Sequence, residues 1–269
     1  MGSQTRTQAY TRVGPAVRDL PPGYTEWPAP AGLRHAIACA WAQVTPDGRS
    51  RRGLVLPDAC ADLIWEPGRG AYVAGPDTGP APTEMAAGTI IIGVRFRPAA
   101  GGPALGLPLS ELRDQRVDLS ELRRGEARLL PGTLDPDTAA IRALDVAAGL
   151  VADGAPDRAV VRAAELLEDP QARTEEVAGE IGLSERQLRR RCHDAVGYGP
   201  KTLQRVLRFR RFVAQIDAAA GPPGGPAADL ATIAARAGYA DQAHLTRECR
   251  TLAGLTPAAL ARQRVVGSL

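Results

Sequence analysis

The first half of the chain consists of short apolar runs separated by turn residues. Between His35 and Arg97 each run is four to nine residues long, and Gly, Pro or Asp residues stand between consecutive runs. Short apolar runs bounded in this way are typical of β-strands. We therefore predict a β-rich domain over residues 31–135, built as a small barrel or sandwich. The five runs are residues 36–44, 53–56, 62–65, 71–74 and 89–96.

The flanks of this domain are less regular. Residues 1–30 are rich in Pro and Gly and show no sustained periodicity, which predicts an irregular lead-in. After the Gly- and Pro-rich stretch 98–108, the segments 109–112 and 119–122 are each preceded or begun by a Ser or Pro. Such starts favour short helices at both places.

A longer helix follows, and a break follows that helix. Apolar residues recur at helical spacing between residues 137 and 151. The sequence Asp-Gly-Ala-Pro at 153–156 then interrupts the pattern. We predict a connecting helix and linker over residues 136–156, followed by an all-α domain over residues 157–266. The fold class expected for the whole chain is therefore α+β.

The second half contains an internal repeat. An offset of 57 residues aligns six identical pairs: Leu188 with Leu245, Arg190 with Arg247, Cys192 with Cys249, Gly197 with Gly254, Pro200 with Pro257, and Leu203 with Leu260. Upstream the offset is 56, and the aligned pairs are Val177 with Ile233, Ala178 with Ala234, and Gly182 with Gly238. The slip of one residue falls just after a glycine, where a turn would tolerate it.

Capping residues predict where the helices of each copy begin and end. In the first copy Thr174 can cap one helix and Gly182 can end it. Ser184 and Gln187 form a capping box for the next helix. The corresponding residues of the second copy are Asp229, Gly238 and Asp241. Two helices joined by a short glycine turn form a helix-turn-helix, whose second helix fits a major groove about 12 Å wide.

Positive charge concentrates in the first copy, although the whole chain has a formal net charge of only +3. Residues 184–211 contain two acidic residues and nine basic ones: Arg186, Arg189, Arg190, Arg191, Lys201, Arg205, Arg208, Arg210 and Arg211. A solvated helix face could carry such a cluster, but together with the repeat it favours contact with DNA.

The two second helices would present different side chains to DNA. If Leu188, Cys192 and Ala195 face the core, the first exposes Arg186, Arg189, Arg190 and His193. Arginine suits bidentate pairing with guanine. The equivalent face of the second copy has Gln242, Ala243, Thr246 and Arg247. Between the copies, an amphipathic helix would pack both modules together and direct Arg208 and Arg211 toward phosphates.

Two segments of the repeat resemble the paired helix-turn-helix domain of AraC/XylS-type transcriptional regulators. They read IGLSERQLRRRCHDAVGYGPKTL and AARAGYADQAHLTRECRTLAGLTPAAL. In the second segment the family's signature spacing is met by Gly238-Tyr239, His244-Leu245, Arg247, Gly254 and Thr256-Pro257. The resemblance covers residues 157–266 and implies a seven-helix domain that binds double-stranded DNA. It maps base contacts to Arg186, Arg189, Arg190, Gln242, Ala243, Thr246 and Arg247.

The resemblance has two departures and a weaker N-terminal extension. Leu245 stands where the family usually has an aromatic residue, and residues 221–226 are unusually rich in Gly and Pro. The N-terminal half is similar to the sensor-like, distantly cupin-like domain of some of these regulators, which implies an effector without naming it. Pocket candidates are Trp41, Cys60, Trp65 and Tyr72, and each could equally be a core residue.

Composition excludes several other classes of protein. The four cysteines are far apart, which argues against a zinc site and against a disulfide framework, so we expect reduced and mostly buried thiols. No segment reads as a signal peptide or a membrane span, and we expect a cytoplasmic protein without cofactor or metal. His193 and His244 have no neighbours in sequence that would make a catalytic site.

Two alternatives remain open at this stage. One is a DNA-repair type of enzyme, with a reactive cysteine joined to a helix-turn-helix region. The other is an N-terminal half that serves only to dimerise or to contact another regulator. The expected partners are double-stranded DNA, a small-molecule effector and RNA polymerase, and the protein would be a monomer or a homodimer.

Overall fold

A computed structural model describes residues 14–219 and 230–265 of the chain. The strands within these residues are β1 (Gly23–Pro28), β2 (Ile37–Val44), β3 (Arg51–Val55), β4 (Ala61–Glu66), β5 (Gly70–Ala74), β6 (Ala81–Met85), β7 (Ile90–Phe96) and β8 (Arg116–Asp118). Six of them form one antiparallel sheet in the order β1-β2-β7-β4-β5-β8, and β3 pairs with β6. The prediction of a β-rich N-terminal domain is confirmed.

Strands β1, β6 and β8 are not among the five runs that the sequence predicts as strands. The prediction of an irregular lead-in through residue 30 is wrong at β1, which pairs with β2 and buries Trp27. Residues 1–13 lie outside the described part of the chain. The barrel alternative is also wrong, because β1 and β8 stand at opposite ends of the six-stranded order and do not pair with each other within the described residues.

The helices follow the strands along the chain. They are α1 (Gly101–Leu105), α2 (Leu119–Leu122), α3 (Arg124–Ala127), α4 (Pro136–Asp153), α5 (Arg158–Leu167), α6 (Thr174–Glu180), α7 (Glu185–Val196), α8 (Pro200–Ala219), α9 (Leu230–Ala237), α10 (Gln242–Ala253) and α11 (Pro257–Val265). Short 3₁₀ helices occur at Val17–Asp19, Ala31–Leu33 and Leu109–Glu111. Within the described residues, no helix is long and apolar enough to cross a membrane.

The six-stranded sheet separates two apolar layers. On one face Leu63, Trp65 and Phe96 pack in a core with the buried side of α4. The predicted connecting helix is therefore part of the N-terminal core. Asp135 caps it by accepting a hydrogen bond from the Thr138 backbone N–H at 3.1 Å. The other face carries a smaller apolar cluster that includes Met85 of β6: Cys39, Trp41, Ile64, Tyr72, Ala74 and Ile91.

Helices α5 to α11 surround a second core and form the seven-helix domain that the resemblance implies. Leu188 and Cys192 of α7 pack there with Phe212 of α8 and with Leu245 and Cys249 of α10. Two residues of the N-terminal half, Ala59 and Ala99, are buried in the same core. The two halves of the chain are therefore packed against each other.

Most of the predicted caps are present. Gly182 and Gly238 have φ of +71° and +91°, and each lies in the turn that the repeat predicts. Ser184 and Gln187 form the predicted capping box, and Asp241 accepts a hydrogen bond from the His244 backbone N–H.

The remaining cap predictions did not hold or fall on residues that the structure does not describe. Thr174 was predicted to cap α6, but it is already helical, and the preceding Arg173 occupies the cap position without a side-chain hydrogen bond. Asp229 and the loop 221–226 lie outside the described residues.

Candidate nucleic-acid interface

Helix α7 places its arginines on the side opposite its core contacts. Leu188, Cys192 and Ala195 are buried, as the sequence predicts, because they recur at three- and four-residue spacing along one face. The other side of the helix exposes Arg186, Arg189 and Arg190, with His193 partly exposed. Within the described part of the chain, none of these three guanidinium groups has an ion pair or a hydrogen bond. They are available to an external anion or a base edge.

Helix α10 repeats this arrangement with a less charged face. Leu245 and Cys249 point into the core, while Gln242, Ala243 and Arg247 are exposed and Thr246 is half-buried. These exposed and half-buried residues line one shallow depression together with Asp241 and Arg250. Arg250 was not anticipated from the sequence, although it stands one helical turn beyond Arg247.

A cleft separates the two modules. Its walls come from α6, α7, α8 and α10, and its lining includes Lys201 and Arg205 of α8 together with Glu175 and Glu185. Lys201 is exposed and Arg205 half-buried. The sequence singled these two residues out only as members of the basic cluster. Within the described residues Lys201 has no ion pair, whereas Arg205 pairs with Glu248 at 3.2 Å.

A buried carboxylate ties α10 to α8. The side chain of Glu248 is only 7% exposed, and its oxygens lie 3.2 Å from Arg205 Nε, 3.6 Å from Arg208 Nε and 3.5 Å from His244 Nε2. Arg208 also lies over the Tyr239 ring, 5.6 Å from its centre. Sequence reasoning missed Glu248. The available signal was an acidic residue between two buried positions, Leu245 and Cys249.

Two predicted phosphate contacts need correction. The side chains of Arg208 and Arg211 are 14% and 22% exposed, and internal partners occupy both. Arg211 donates to the Ala237 carbonyl oxygen at 3.0 Å and pairs with Glu168. Both arginines hold α8 against its neighbours. Arg208 lies in the wall of the cleft beside Glu248 and Tyr239, and Arg211 lies against Glu168 and Ala237.

The N-terminal candidates do not form one site. Trp65 is fully buried on the α4 side of the sheet, where its indole N–H donates to the Pro131 carbonyl oxygen at 2.9 Å. Trp41 and Tyr72 lie on the opposite face. Trp41 donates to Asp62 at 2.7 Å. Cys60 precedes β4 near the second domain, and burial raises its pKa well above the ordinary thiol value.

Sequence reasoning missed Arg95, which lies among three carboxylates. The Arg95 guanidinium is 3.2 Å from Asp62, 3.3 Å from Asp58 and 3.3 Å from Glu26. These residues come from separate parts of the chain, so the sequence carries no local signal for the cluster. The three carboxylates neutralise the positive charge of Arg95. Arg95 therefore has a structural role, because it joins these residues on one face of the sheet.

Two family models match separate parts of the chain. Residues 177–263 match the family described as Helix-turn-helix domain, and residues 25–118 match the Domain of unknown function (DUF6597). No curated protein matches the chain significantly.

Solved structures of one protein are similar to this chain over most of its length. ToxT from Vibrio cholerae O395 has 10% identity and a TM-score of 0.44, over 83% of this chain and 96% of that one. The unsaturated fatty acid bound wild-type ToxT from Vibrio cholerae strain SCE256 has 10% identity and a TM-score of 0.41, over 84% and 95%.

The helix-turn-helix match and the geometry of α7 and α10 define the class of protein. Two helix-turn-helix modules with exposed polar faces, in a domain that matches a DNA-binding family, make the chain a DNA-binding transcription regulator. Its C-terminal part is an AraC-type helix-turn-helix domain, and a β-rich domain of the DUF6597 type precedes it.

Proposed function

We propose that the protein reads two successive major-groove segments of one operator, with α7 in the first and α10 in the second. The observation that carries this proposal is the pair of equivalent faces: each second helix buries one apolar side and leaves the opposite side open to a ligand. An α-helix fits the major groove, and paired modules address grooves about one helical turn apart.

The side chains on the two faces suggest what each helix reads. Arg186, Arg189 and Arg190 suit guanine, whose O6 and N7 accept two hydrogen bonds from one guanidinium. On α10, Gln242 suits adenine and Ala243 suits a thymine methyl group, while Arg247 adds one guanine reader. We therefore infer a G-rich box under α7 and a mixed box under α10, with Lys201 near the intervening phosphates.

Selection from a randomised duplex library tests this proposal. The full-length protein is incubated at about 150 mM salt, where phosphate contacts alone bind weakly. The random region needs about 40 base pairs, enough for two boxes about 10 base pairs apart. Enrichment of two boxes at that separation is the expected result. A single enriched box, or no enrichment even with the metabolite panel used below, would overturn the proposal.

We also propose that the N-terminal domain controls DNA binding through an effector or a partner. The contact between the halves supports this idea: Ala59 lies in the C-terminal core, and Arg210 donates to the Asp58 carbonyl oxygen at 3.5 Å. A metabolite panel that shifts the Tm of the full chain would support a small-molecule effector. Dimerisation of the full chain without any such shift would favour the alternative of an interaction domain. We also propose RNA polymerase as a partner of the DNA-bound protein, which would act as a monomer or a homodimer.

We propose no enzymatic role, because none of the cysteines has the properties of a nucleophile. All four are buried and free of disulfides. Burial raises the pKa of Cys39, Cys192 and Cys249 to about 12 and that of Cys60 well above its usual value. A reactive cysteine needs a lowered pKa. Mass spectrometry after incubation with alkylated DNA should show no alkyl group on any cysteine.

A further inference from the structure

One loop of the N-terminal domain touches the end of both DNA-reading helices. We call residues 75–80, between β5 and β6, the bridging loop. At Gly197, which ends α7 with φ +92°, an added Cβ would lie 2.6 Å from Pro76 Cγ. At Gly254, which ends α10 with φ +67°, an added Cβ would lie 3.6 Å from Pro80 Cγ. Pro76 thus packs against the end of α7, and Pro80 lies beside the end of α10.

Side chains of strand β8 and of the turn before it hold the bridging loop in place. Arg116 makes a two-pronged ion pair with Asp77, whose oxygens lie 2.8 and 2.7 Å from the guanidinium nitrogens. Asp77 is buried, at 8% exposure. On the same side, Asp114 accepts hydrogen bonds from the Thr78 backbone N–H at 2.6 Å and from its hydroxyl at 2.8 Å. Two prolines and this bracing leave the loop few alternative conformations.

Direct contacts between the two DNA-reading helices would make such a brace unnecessary. Within the described ranges, however, no hydrogen bond or ion pair joins a residue of α7 to a residue of α10. The Glu248 cluster connects α10 to α8 and does not reach α7. The bridging loop is therefore a second connection between the modules, at the C-terminal ends of α7 and α10.

We propose that the bridging loop sets the separation and the angle between α7 and α10, and so the spacing of the two DNA boxes. Asp77 and Arg116 act as positioning residues that determine spacing specificity without touching DNA. The inference rests on the proposed two-box reading. One added base pair moves a box by about 3.4 Å and turns it by about 35°, so a rigid pair of helices accepts one spacing and a loosened pair accepts several.

The test repeats the library selection with matched variants of the full chain. Asp77→Ala removes the brace, and Pro80→Gly loosens the loop while keeping the ion pair. Asp118→Ala is the control, because it breaks another Arg–Asp pair on β8, with Arg69 at 2.8 Å, that does not hold the loop. Near-ultraviolet circular dichroism and Tm check that each variant folds.

The expected result separates box sequence from box spacing. Wild type and Asp118→Ala should enrich two boxes at one spacing, with roughly tenfold or greater preference over a shift of two base pairs. Asp77→Ala and Pro80→Gly should enrich the same boxes but with less than about threefold preference between neighbouring spacings. A single, unchanged spacing in either folded variant overturns the inference and leaves two-box reading intact. Failure of the wild type to enrich two boxes overturns the proposed function itself.

Discussion

Arginine residues of the C-terminal domain divide into an outward-facing set and an inward-facing set. Arg186, Arg189 and Arg190 recur along one exposed side of α7. Arg208 and Arg211 lie on α8, where neighbouring elements cover them. The charge count of the sequence treats both sets alike, because the direction of a side chain on a linking helix depends on which elements pack around it.

The outward-facing arginines should govern sequence preference. Arg190→Ala and Arg247→Ala should each cost about 1 to 3 kcal/mol of binding free energy and relax the preference at one or two base pairs. Fluorescence anisotropy on selected and random duplexes measures both effects. Arg191→Ala is the matched control on α7, because Arg191 pairs with Asp157 at 3.3 Å. Equal losses on selected and random DNA would exclude a base-reading role.

Arg208 should affect stability, and Lys201 should affect binding. Arg208→Ala removes a partner of the buried Glu248 and should lower the free energy of unfolding by about 1 to 3 kcal/mol. Lys201→Ala should leave stability unchanged and reduce the slope of log K against log salt by about 1. Urea unfolding and a salt titration of binding distinguish the two. A reduced salt slope for Arg208→Ala with unchanged stability would reinstate the original phosphate-contact prediction.

The raised pKa values of the cysteines predict how stability depends on pH and how slowly the folded protein is alkylated. Their pKa is raised in the folded chain, so the neutral thiol is favoured there; this contribution to stability is complete below about pH 9 and is lost as pH rises toward about 12. At pH 8 the folded protein should resist iodoacetamide, while the unfolded chain should be alkylated at all four positions. Rapid alkylation of one cysteine in the folded state would revive the repair-enzyme alternative.

At the scale of single elements, local signals were sufficient for the helix-turn-helix modules. The glycine turns at Gly182 and Gly238 and the capping box at Ser184 depend on residues within a few positions of each other, so the sequence alone predicts them. β1 was missed because it is short, lies in a Pro- and Gly-rich stretch and ends in Pro28. Its identity as a strand depends on pairing with β2. β6 includes Pro82, which argues against a strand except at an edge.

The capping box should contribute measurably to the first module. Ser184→Ala removes the side-chain oxygen that accepts from the Gln187 backbone N–H, and it should lower the free energy of unfolding by about 1 kcal/mol. Chemical denaturation measures this change. Ser110→Ala is a suitable control, because the helix at Leu109–Glu111 has Pro108 at its cap position and no side-chain cap. Equal stability of the two variants would show that the box contributes nothing.

At the scale of the molecule, the prediction of two unlike halves succeeded, but their mutual packing was not foreseen. The insertion of Ala59 and Ala99 into the C-terminal core, and the position of the bridging loop, join residues that are far apart in sequence. Neither apolar periodicity nor capping residues in the sequence indicate contacts between residues that lie so far apart in the chain. The candidate DNA-reading residues were found because they belong to a repeat, whereas Glu248, Arg95 and Asp77 gain their roles only from the assembled structure.

The central claim is that α7 and α10 read separate major-groove segments, and guanine N7 protection tests it most directly. N7 lies in the major groove, so a bound helix shields it from methylation. On a selected duplex the wild type should protect two groups of guanines about one helical turn apart. Arg190→Ala should remove protection within one group only, and Arg247→Ala within the other. A single protected group, or loss of the same guanines in both variants, would contradict the account.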